Sequence, residues 1–461
     1  MNKFFKLSAI AAGLVASGMA FADTSETKGG IKIKTDDGRF EANIGGRIHF
    51  DGNLIDKDEG STFGSNAGSG KNTDNSGFFF RRIYMTLSGK LYGFTYKIEN
   101  DFAGGNKDGA TTNGFQDVWF GTDIGPGEIQ IGQRKPFRAM EDLTSSNEIL
   151  MIERPFASAS GGMLKGGTVM NSVGTIAAVT AASNEREFQD GLFYHGNGDL
   201  YTWGVGVYSL RNLNSVGTQG TGESMRFTFT PVKADGTIVH VGLSVSGEQP
   251  ANSQSSGSND AILIGAGSIA YGGRRGPSFN LGVTDNKLQT YGLEYANVFG
   301  PFFLQAEYMY QHQEAPSARA VTFALTATGT TAPNGLGQAF ANTGEQNIQA
   351  YYVQSSFFLT GESKPYKSKD GVFGNVKPLN DWGAVELTAR YDHAQSHAGY
   401  IGSSCAGAGN TNCEVSAVTV GANYYVNPNV RFMLNYVMGD ADKGNVQDKP
   451  NTVAARAQIS F

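Results

Sequence analysis

Apolar and polar residues alternate along most of this chain in segments of about ten residues, separated by turns. The last segment has the clearest pattern, with an apolar face made by Val453, Ala455, Ala457, Ile459 and Phe461. Successive side chains of a strand point to opposite sides, so this period of two predicts strands with one lipid-facing and one water-facing side. The pattern as a whole predicts an all-β fold, a transmembrane antiparallel β-barrel.

The alternating segments predict sixteen strands, an even number as in single-chain bacterial barrels. They lie at 40–52, 78–89, 94–103, 115–124, 128–137, 188–196, 200–209, 223–232, 237–246, 288–298, 302–312, 346–360, 384–394, 415–426, 430–438 and 452–461. Long connections at 53–77, 138–187, 247–287 and 313–345 fall on one side of this barrel and short turns on the other. Residues 361–383 form a long connection on the short-turn side, as an exception, and an apolar stretch at 174–181 leaves eighteen strands open.

The chain begins with a lysine-containing segment, the apolar run 7–16 and the small-residue pattern Ala20-Phe21-Ala22. These features predict a secretory signal peptide at residues 1–22, followed by a barrel domain at 23–461. The apolar run is too short to span a bilayer as a helix, which needs about 20 residues.

Composition agrees with a barrel better than with soluble domains. Only 39% of the 461 residues are hydrophobic, which is too few for several packed cores but suits a barrel with a polar interior. The formal net charge of -6 argues against a nucleic-acid partner. The six histidines form no recognisable catalytic arrangement, so the sequence predicts neither an enzyme nor a cofactor.

Two cysteines, Cys405 and Cys413, are separated by a short flexible segment. Export would place them in an oxidising compartment, so we predict a local disulfide between them. A metal site is the competing interpretation, although the nearby His393 and His397 have poor register for it.

Alternation also assigns side chains to the lumen. The inward positions that carry charge or an aromatic hydroxyl include Arg47, Arg82, Tyr84, Lys97, Asp117, Arg134, Arg226, Arg390 and Arg431. Arginines in a channel can attract and guide anions. The alternative is that they pair with inward acids, such as Glu99 or Glu386, and only stiffen the wall.

The connection after the fifth strand is partly apolar and long enough to be ordered. Thr144 or Ser145 could cap a short helix, with Glu148 completing a capping box. An ordered loop of this length must pack somewhere, and the interior of the barrel is the natural place. The sequence therefore predicts a third loop that folds inward and narrows the pore.

Several segments resemble the phosphate-selective porin O and P family, and they occur in family order. They are Phe80-Arg81-Arg82-Ile83-Tyr84, Ile131-Gly132-Gln133-Arg134-Lys135-Pro136-Phe137, Glu141-Asp142-Leu143-Thr144-Ser145-Ser146, Glu153-Arg154, Phe358-Leu359-Thr360-Gly361-Glu362-Ser363-Lys364-Pro365-Tyr366 and Asn427-Pro428-Asn429-Val430-Arg431-Phe432-Met433-Leu434-Asn435-Tyr436. The resemblance implies a sixteen-stranded homotrimer whose third loop enters the channel. It also implies that Arg81, Arg82, Arg134, Lys135 and Arg154 carry over as basic positions, with Tyr84 as a lining aromatic.

The expected function is an outer-membrane porin, embedded in outer-membrane lipid, for passive uptake of small inorganic anions. The resemblance implies phosphate or polyphosphate as the solute. Residues 138–160, however, hold two arginines, Arg138 and Arg154, against four acids, and a net acidic constriction would repel phosphate. A general or weakly selective porin is therefore the alternative, with an outer-membrane hydrolase or a surface adhesin further behind.

Overall fold

A computed structural model describes most of the predicted barrel domain. The described residues are 24–26, 30–56, 76–103, 114–158, 168–170, 187–210, 220–249, 259–266, 279–284, 286–314, 345–397, 412–442 and 447–461. The predicted signal peptide, the apolar stretch 174–181 and Cys405 lie outside them. The signal peptide and the disulfide therefore stay predictions.

Sixteen strands form the barrel wall. They are β1 (Phe40–Asp56), β2 (Gly77–Leu91), β3 (Phe94–Asp101), β4 (Phe115–Ile124), β5 (Gly127–Arg134), β6 (Gln189–Asn197), β7 (Tyr201–Ser209), β8 (Thr221–Ala234), β9 (Thr237–Gln249), β10 (Leu288–Phe299), β11 (Phe302–Gln313), β12 (Gln346–Phe358), β13 (Ala384–His397), β14 (Asn412–Asn427), β15 (Val430–Asp442) and β16 (Asn451–Ser460). Each pairs antiparallel with its sequence neighbour.

The last strand closes the sheet on the first. Strand β16 pairs antiparallel with β1, from Ser460 opposite Arg47 to Asn451 opposite Asp56. The pairing continues past the strand end, where Gly46 N donates to the Phe461 carbonyl at 2.8 Å and Phe461 N donates to the Gly46 carbonyl at 3.1 Å. Closure leaves no free edge in the wall, as a membrane requires. The predicted barrel of sixteen strands is confirmed.

The wall is apolar outside and polar inside, the reverse of a soluble core. Strand β8 shows this clearly: Met225, Phe227 and Phe229 are each more than 40% exposed on the outer face. Between them, Arg226 and Thr228 point inward and are buried. The alternation in the sequence is therefore the alternation of lipid and lumen.

A β-bulge in β2 changes this alternation at one functionally relevant place. The pairing of β1 with β2 shifts between His49, opposite Arg82, and Phe50, opposite Phe80. Arg81 is the extra residue, left without a partner in the pairing, and a bulge re-aims such a side chain. Strict alternation would place Arg81 and Arg82 on opposite faces, whereas here both line the interior.

The described part of the third loop between β5 and β6, residues 135–158 and 187–188, enters the lumen as predicted. It contains one helical turn, Met140–Leu143, whose preceding residue Ala139 makes no side-chain cap. The turn ends at Leu143, before Thr144 and Ser145, so the predicted capping box is wrong. Instead, the Glu307 carboxylate on β11 accepts hydrogen bonds from Met140 N at 2.6 Å and Glu141 N at 2.9 Å, and thereby replaces a local cap.

A second segment enters the lumen from the opposite end. Within the connection 359–383 on the short-turn side, Tyr366–Lys367 pairs with Val372–Phe373. We call residues 366–373 the inner hairpin. Val372 and Phe373 are buried in one apolar cluster with Met140 and Met151 of the third loop. The two inserted segments thus pack on each other inside the barrel.

The remaining short strands lie outside the wall sequence. Thr24–Glu26 pairs with Ile31–Lys34, which itself pairs with the start of β1. The other short strands are Thr168–Met170, Asn259–Ala266, Phe279–Thr284 and Gln447–Asp448. Among the described residues, no helix is long and apolar enough to cross a membrane.

Candidate functional site: the constricted channel

A cavity of about 260 Å³ lies between the wall, the third loop and the inner hairpin. Basic side chains predominate in its lining: Arg47, Arg81, Arg82, Lys97, Arg134, Lys135, Arg154, Arg226, Lys367 and Lys369. The acidic side chains of the lining are Glu99, Asp117, Glu187 and Asp370. This part of the lumen therefore carries an excess of positive charge.

Five of the basic side chains are matched by carboxylates. The shortest ion-pair distances are Arg47–Glu99 at 2.8 Å, Arg81–Glu153 at 2.6 Å, Lys97–Asp117 at 2.6 Å, Lys135–Glu187 at 2.7 Å and Arg226–Glu294 at 2.7 Å. These pairs stiffen the wall and the loop, as the alternative interpretation of the sequence expects. Their positive charges are therefore largely neutralised within the protein.

Arg82 and Arg134 differ from that group. Arg82 is 4% exposed, and its Nη1 has no hydrogen-bond partner among the described residues. Arg134 donates to the Gln130 side chain and to the Lys135 carbonyl, and its guanidinium lies 4.3 Å from the centroid of the Phe137 ring. Neither forms an ion pair with a carboxylate in the part of the chain that the structure describes. Both cations therefore remain available to an anion in the cavity.

Three acids of the third loop, Glu141, Asp142 and Glu153, are not among the residues that line the cavity. Glu141 is 1% exposed and its Oε2 accepts hydrogen bonds from the Gln305 and Gln354 side chains on the wall. Glu153 binds Arg81, and Asp142 is fully buried near Lys135. Of this loop, Leu143, Thr144, Ser145, Ser146 and Arg154 are among the residues that line the cavity. The net charge of the loop sequence is thus a poor measure of the charge that a solute meets in the cavity.

Two carboxyl groups of the third loop are held ionised by neighbouring cations. Burial alone would raise the pKa of Glu153, but the charges of Arg81, Arg82 and Arg456 hold it well below its usual range. Burial likewise opposes ionisation of Glu187, and Lys135 with Arg154 nevertheless lowers its pKa to about 2. Both acids stay charged at neutral pH and keep their ion pairs.

Ten of the twelve predicted pore residues lie on this cavity, namely Arg47, Arg81, Arg82, Tyr84, Lys97, Asp117, Arg134, Lys135, Arg154 and Arg226. The other two, Arg390 and Arg431, bind backbone carbonyls of the third loop. Arg390 donates to the Glu153 carbonyl at 2.8 Å, and Arg431 donates to the Ile149 carbonyl at 3.2 Å. Sequence reasoning missed Lys367 and Lys369, although the unusual length of connection 361–383 pointed to that segment.

The described residues contain no cluster of three or more histidine, cysteine or acidic side chains that could hold a metal ion. The chemistry of the cavity is electrostatic attraction and hydrogen bonding to a solute that passes through. A closed barrel with a charged, narrowed lumen is the architecture of a selective channel.

The sequence model of the family described as phosphate-selective porin O and P matches residues 43–461. Porin O of Pseudomonas aeruginosa is 26% identical over 99% of this chain and 98% of its own length. Among solved structures, the anion-selective porin from Comamonas acidovorans is 11% identical with a TM-score of 0.50, covering 91% of this chain and 99% of that one. OmpT of Vibrio cholerae in a trimer form is 10% identical with a TM-score of 0.46, covering 91% and 99%.

The family match extends over the whole barrel, from within β1 to Phe461. The protein is an integral outer-membrane porin, a channel and not an enzyme. The chain belongs to the phosphate-selective porin O and P family.

Proposed function

We propose that this porin conducts small anions selectively and that phosphate or polyphosphate is its preferred solute. The observation that carries the proposal is the cavity lining, in which basic side chains outnumber acidic ones and Arg82 and Arg134 have no carboxylate partner among the described residues. A fixed positive potential of this kind raises the local concentration of anions. The description of the family, phosphate-selective porin O and P, points to the same class of solute.

Arginine and hydroxyl groups provide the hydrogen bonds that an oxyanion needs. A guanidinium presents several donors in a plane that fits phosphate oxygens. Arg47 on β1 donates to the hydroxyl oxygens of Ser145 and Ser146 in the third loop, at 3.2 and 2.8 Å. Because those hydroxyls accept from Arg47, their own protons can be donated to a passing anion. The dehydrated solute would therefore find compensating contacts on both sides of the pore.

The proposal predicts that the purified protein is anion-selective in a planar bilayer. In a potassium chloride gradient the reversal potential should have the sign of chloride permeation, and added phosphate should reduce the chloride current. Sulfate at the same concentration and pH serves as the matched anion. A reversal potential of the opposite sign would rule the proposal out, and equal block by sulfate and phosphate would favour the general diffusion porin.

We also propose that the porin is a homotrimer in outer-membrane lipid, supported by the family resemblance. Sedimentation in detergent should then give a protein mass of about three times that of one chain, since closed symmetric assemblies are usual for identical subunits. Heating before electrophoresis should convert the complex to monomer. A native species with the mass of one chain would contradict the proposal.

A further inference from the structure

The helical turn of the third loop rests on a carboxylate that belongs to the barrel wall. Glu307 on β11 is 3% exposed, and its two oxygens accept hydrogen bonds from Met140 N and Glu141 N. The Tyr352 hydroxyl on β12 donates to the same carboxylate. Three donors therefore converge on Glu307, and this arrangement fits the ionised form of the group, because an ionised carboxylate only accepts hydrogen bonds.

A second carboxylate, from the turn itself, is buried close to the first. Glu141 is 1% exposed, and its Oε1 has no hydrogen-bond partner among the described residues. The Gln305 amide donates both to Glu141 Oε2 and to the Tyr352 hydroxyl, so a chain of hydrogen bonds links Glu141 to Glu307. In the part of the chain that the structure describes, neither carboxylate forms an ion pair with a lysine, arginine or histidine.

The charged and titratable groups packed around these two carboxylates are bound to other partners. They are Arg226 on β8, His240 on β9, Glu294 on β10, Arg390 and Asp392 on β13, Lys135, Asp142 and Arg154 of the third loop, and Tyr366 of the inner hairpin. Arg226 and His240 both bind Glu294, at 2.7 and 3.1 Å. Arg154 donates to the backbone carbonyl of Glu141 and not to its carboxylate. Burial of two like charges without a cation of their own is unfavourable, and a proton is the smallest partner that can neutralise one of them.

Other wall residues hold the third loop further along the chain. Asp392 on β13 accepts from Phe156 N with both carboxylate oxygens, at 3.1 and 2.9 Å. Between these two points, the uncharged side chain of Asn435 on β15 accepts from Ile152 N at 2.8 Å. An amide does not change its charge with pH, whereas a carboxylate does. Acidification would therefore loosen the helical turn while the middle of the loop stays attached to the wall.

We propose that Glu307 is a positioning residue for the constriction and that the protonation state of its carboxyl group controls how firmly the third loop is held. The carboxylate accepts from all three donors, whereas a carboxylic acid turns one of its oxygens into a donor that faces an N–H or O–H group. The helical turn then loses part of its cap, and the loop loosens in the lumen. This role concerns the width of the pore and applies whichever ion the pore prefers.

The test measures pore width with neutral solutes, so that changes in the charge of the pore do not affect the result. Full-length porin is reconstituted into liposomes, and the ratio of the swelling rate in sucrose to that in arabinose is followed between about pH 8 and about pH 4. In the unaltered porin this ratio should rise on acidification. Glu307→Gln, which is uncharged and similar in shape, should give a ratio about threefold higher than the unaltered porin at neutral pH, with little further change in acid.

The matched control is Glu223→Gln, because Glu223 is an exposed glutamate on the outer face of β8. This variant should show the same ratio and the same response to acid as the unaltered porin. If the ratio of Glu307→Gln equals that of the unaltered porin at neutral pH, or keeps the full response to acid, the proposed role of Glu307 is wrong.

A second variant changes the response to acid without removing the carboxylate. Tyr352→Phe deletes one donor to Glu307 and leaves every charge of the site in place. Because a hydrogen bond to the ionised form favours that form, its loss should move the midpoint of the acid transition to higher pH by about one unit. Tyr308→Phe, on the outer face of β11, is the matched control and should leave the midpoint unchanged. An unchanged midpoint in Tyr352→Phe would mean that a group other than Glu307 titrates.

Pore width and ion selectivity are measured separately, so the role of Glu307 and the proposed function can fail independently. A cation-selective porin whose swelling ratio still rises in acid overturns the proposed anion selectivity and supports the role of Glu307. An anion-selective porin whose swelling ratio is the same at neutral and acid pH overturns the role of Glu307 alone.

Discussion

Replacing both Arg82 and Arg134 with alanine should remove most of the anion preference and weaken phosphate block by more than about tenfold, equivalent to about 1.4 kcal/mol of binding free energy. These two cations line the cavity without a carboxylate partner among the described residues. Their charge therefore acts on the solute and is not cancelled within the wall. The measurements are the reversal potential in a salt gradient and the concentration of phosphate that halves the chloride current.

The matched control removes an ion pair, whose charges sum to zero, from the same cavity. Lys97 and Asp117 are 2.6 Å apart, so Lys97→Gln/Asp117→Asn leaves the net charge of the lining unchanged. This variant should retain selectivity and block close to the original values. Undiminished anion preference in Arg82→Ala/Arg134→Ala, in a barrel that still resists detergent denaturation, would assign those arginines to the wall.

Substituting Arg456 by methionine should destabilise the barrel by about 3–5 kcal/mol, because it removes the guanidinium that neutralises the buried Asp51 carboxylate. Arg456 on β16 donates to both oxygens of Asp51 on β1, at 2.7 and 2.8 Å, and both side chains are fully buried. The pair joins the two strands that close the barrel. The free energy of unfolding, measured by denaturant titration in lipid, should therefore fall sharply.

Two further variants test whether the loss of stability comes from the buried Asp51 charge that remains in Arg456→Met. The double variant Asp51→Asn/Arg456→Met removes both charges and should recover part of the stability. Arg39 and Asp37 form an exposed pair at 3.6 Å, and Arg39→Ala should leave the free energy of unfolding unchanged within error because water screens that pair. Similar losses from Arg456→Met and Arg39→Ala would contradict a special role for the closing pair.

The strand count was predictable because the period-two pattern is repeated in every strand and the membrane tolerates little departure from it. The same pattern placed Arg134 and Arg226 in the lumen. It could not place Arg81, whose inward direction depends on a bulge in the pairing of β1 with β2. The sequence contains no local sign of that extra residue, and here only the resemblance to a family supplied the position.

Contacts between segments that are distant along the chain could also not be predicted from the sequence. The helical turn of the third loop is capped by Glu307, which lies 167 residues from Met140. A cap sought among neighbouring residues of the sequence was therefore the wrong one. The acidic residues of the loop suggested a repulsive constriction because their partners on the wall were unknown. For the same reason the lysines of the inner hairpin went unrecognised, although their connection was noted as unusually long.

The third loop is synthesised early in the chain but docks on strands that come much later. Ile152 N donates to Asn435, which is 283 residues away, and Phe156 N donates to Asp392, which is 236 residues away. The Asp51–Arg456 contact spans 405 residues. Contacts of such sequence separation form slowly, because the chain loses much conformational entropy before they contribute. The third loop can dock only once β13 and β15, which carry Asp392 and Asn435, are in place, so the narrow channel matures after these late strands join the wall.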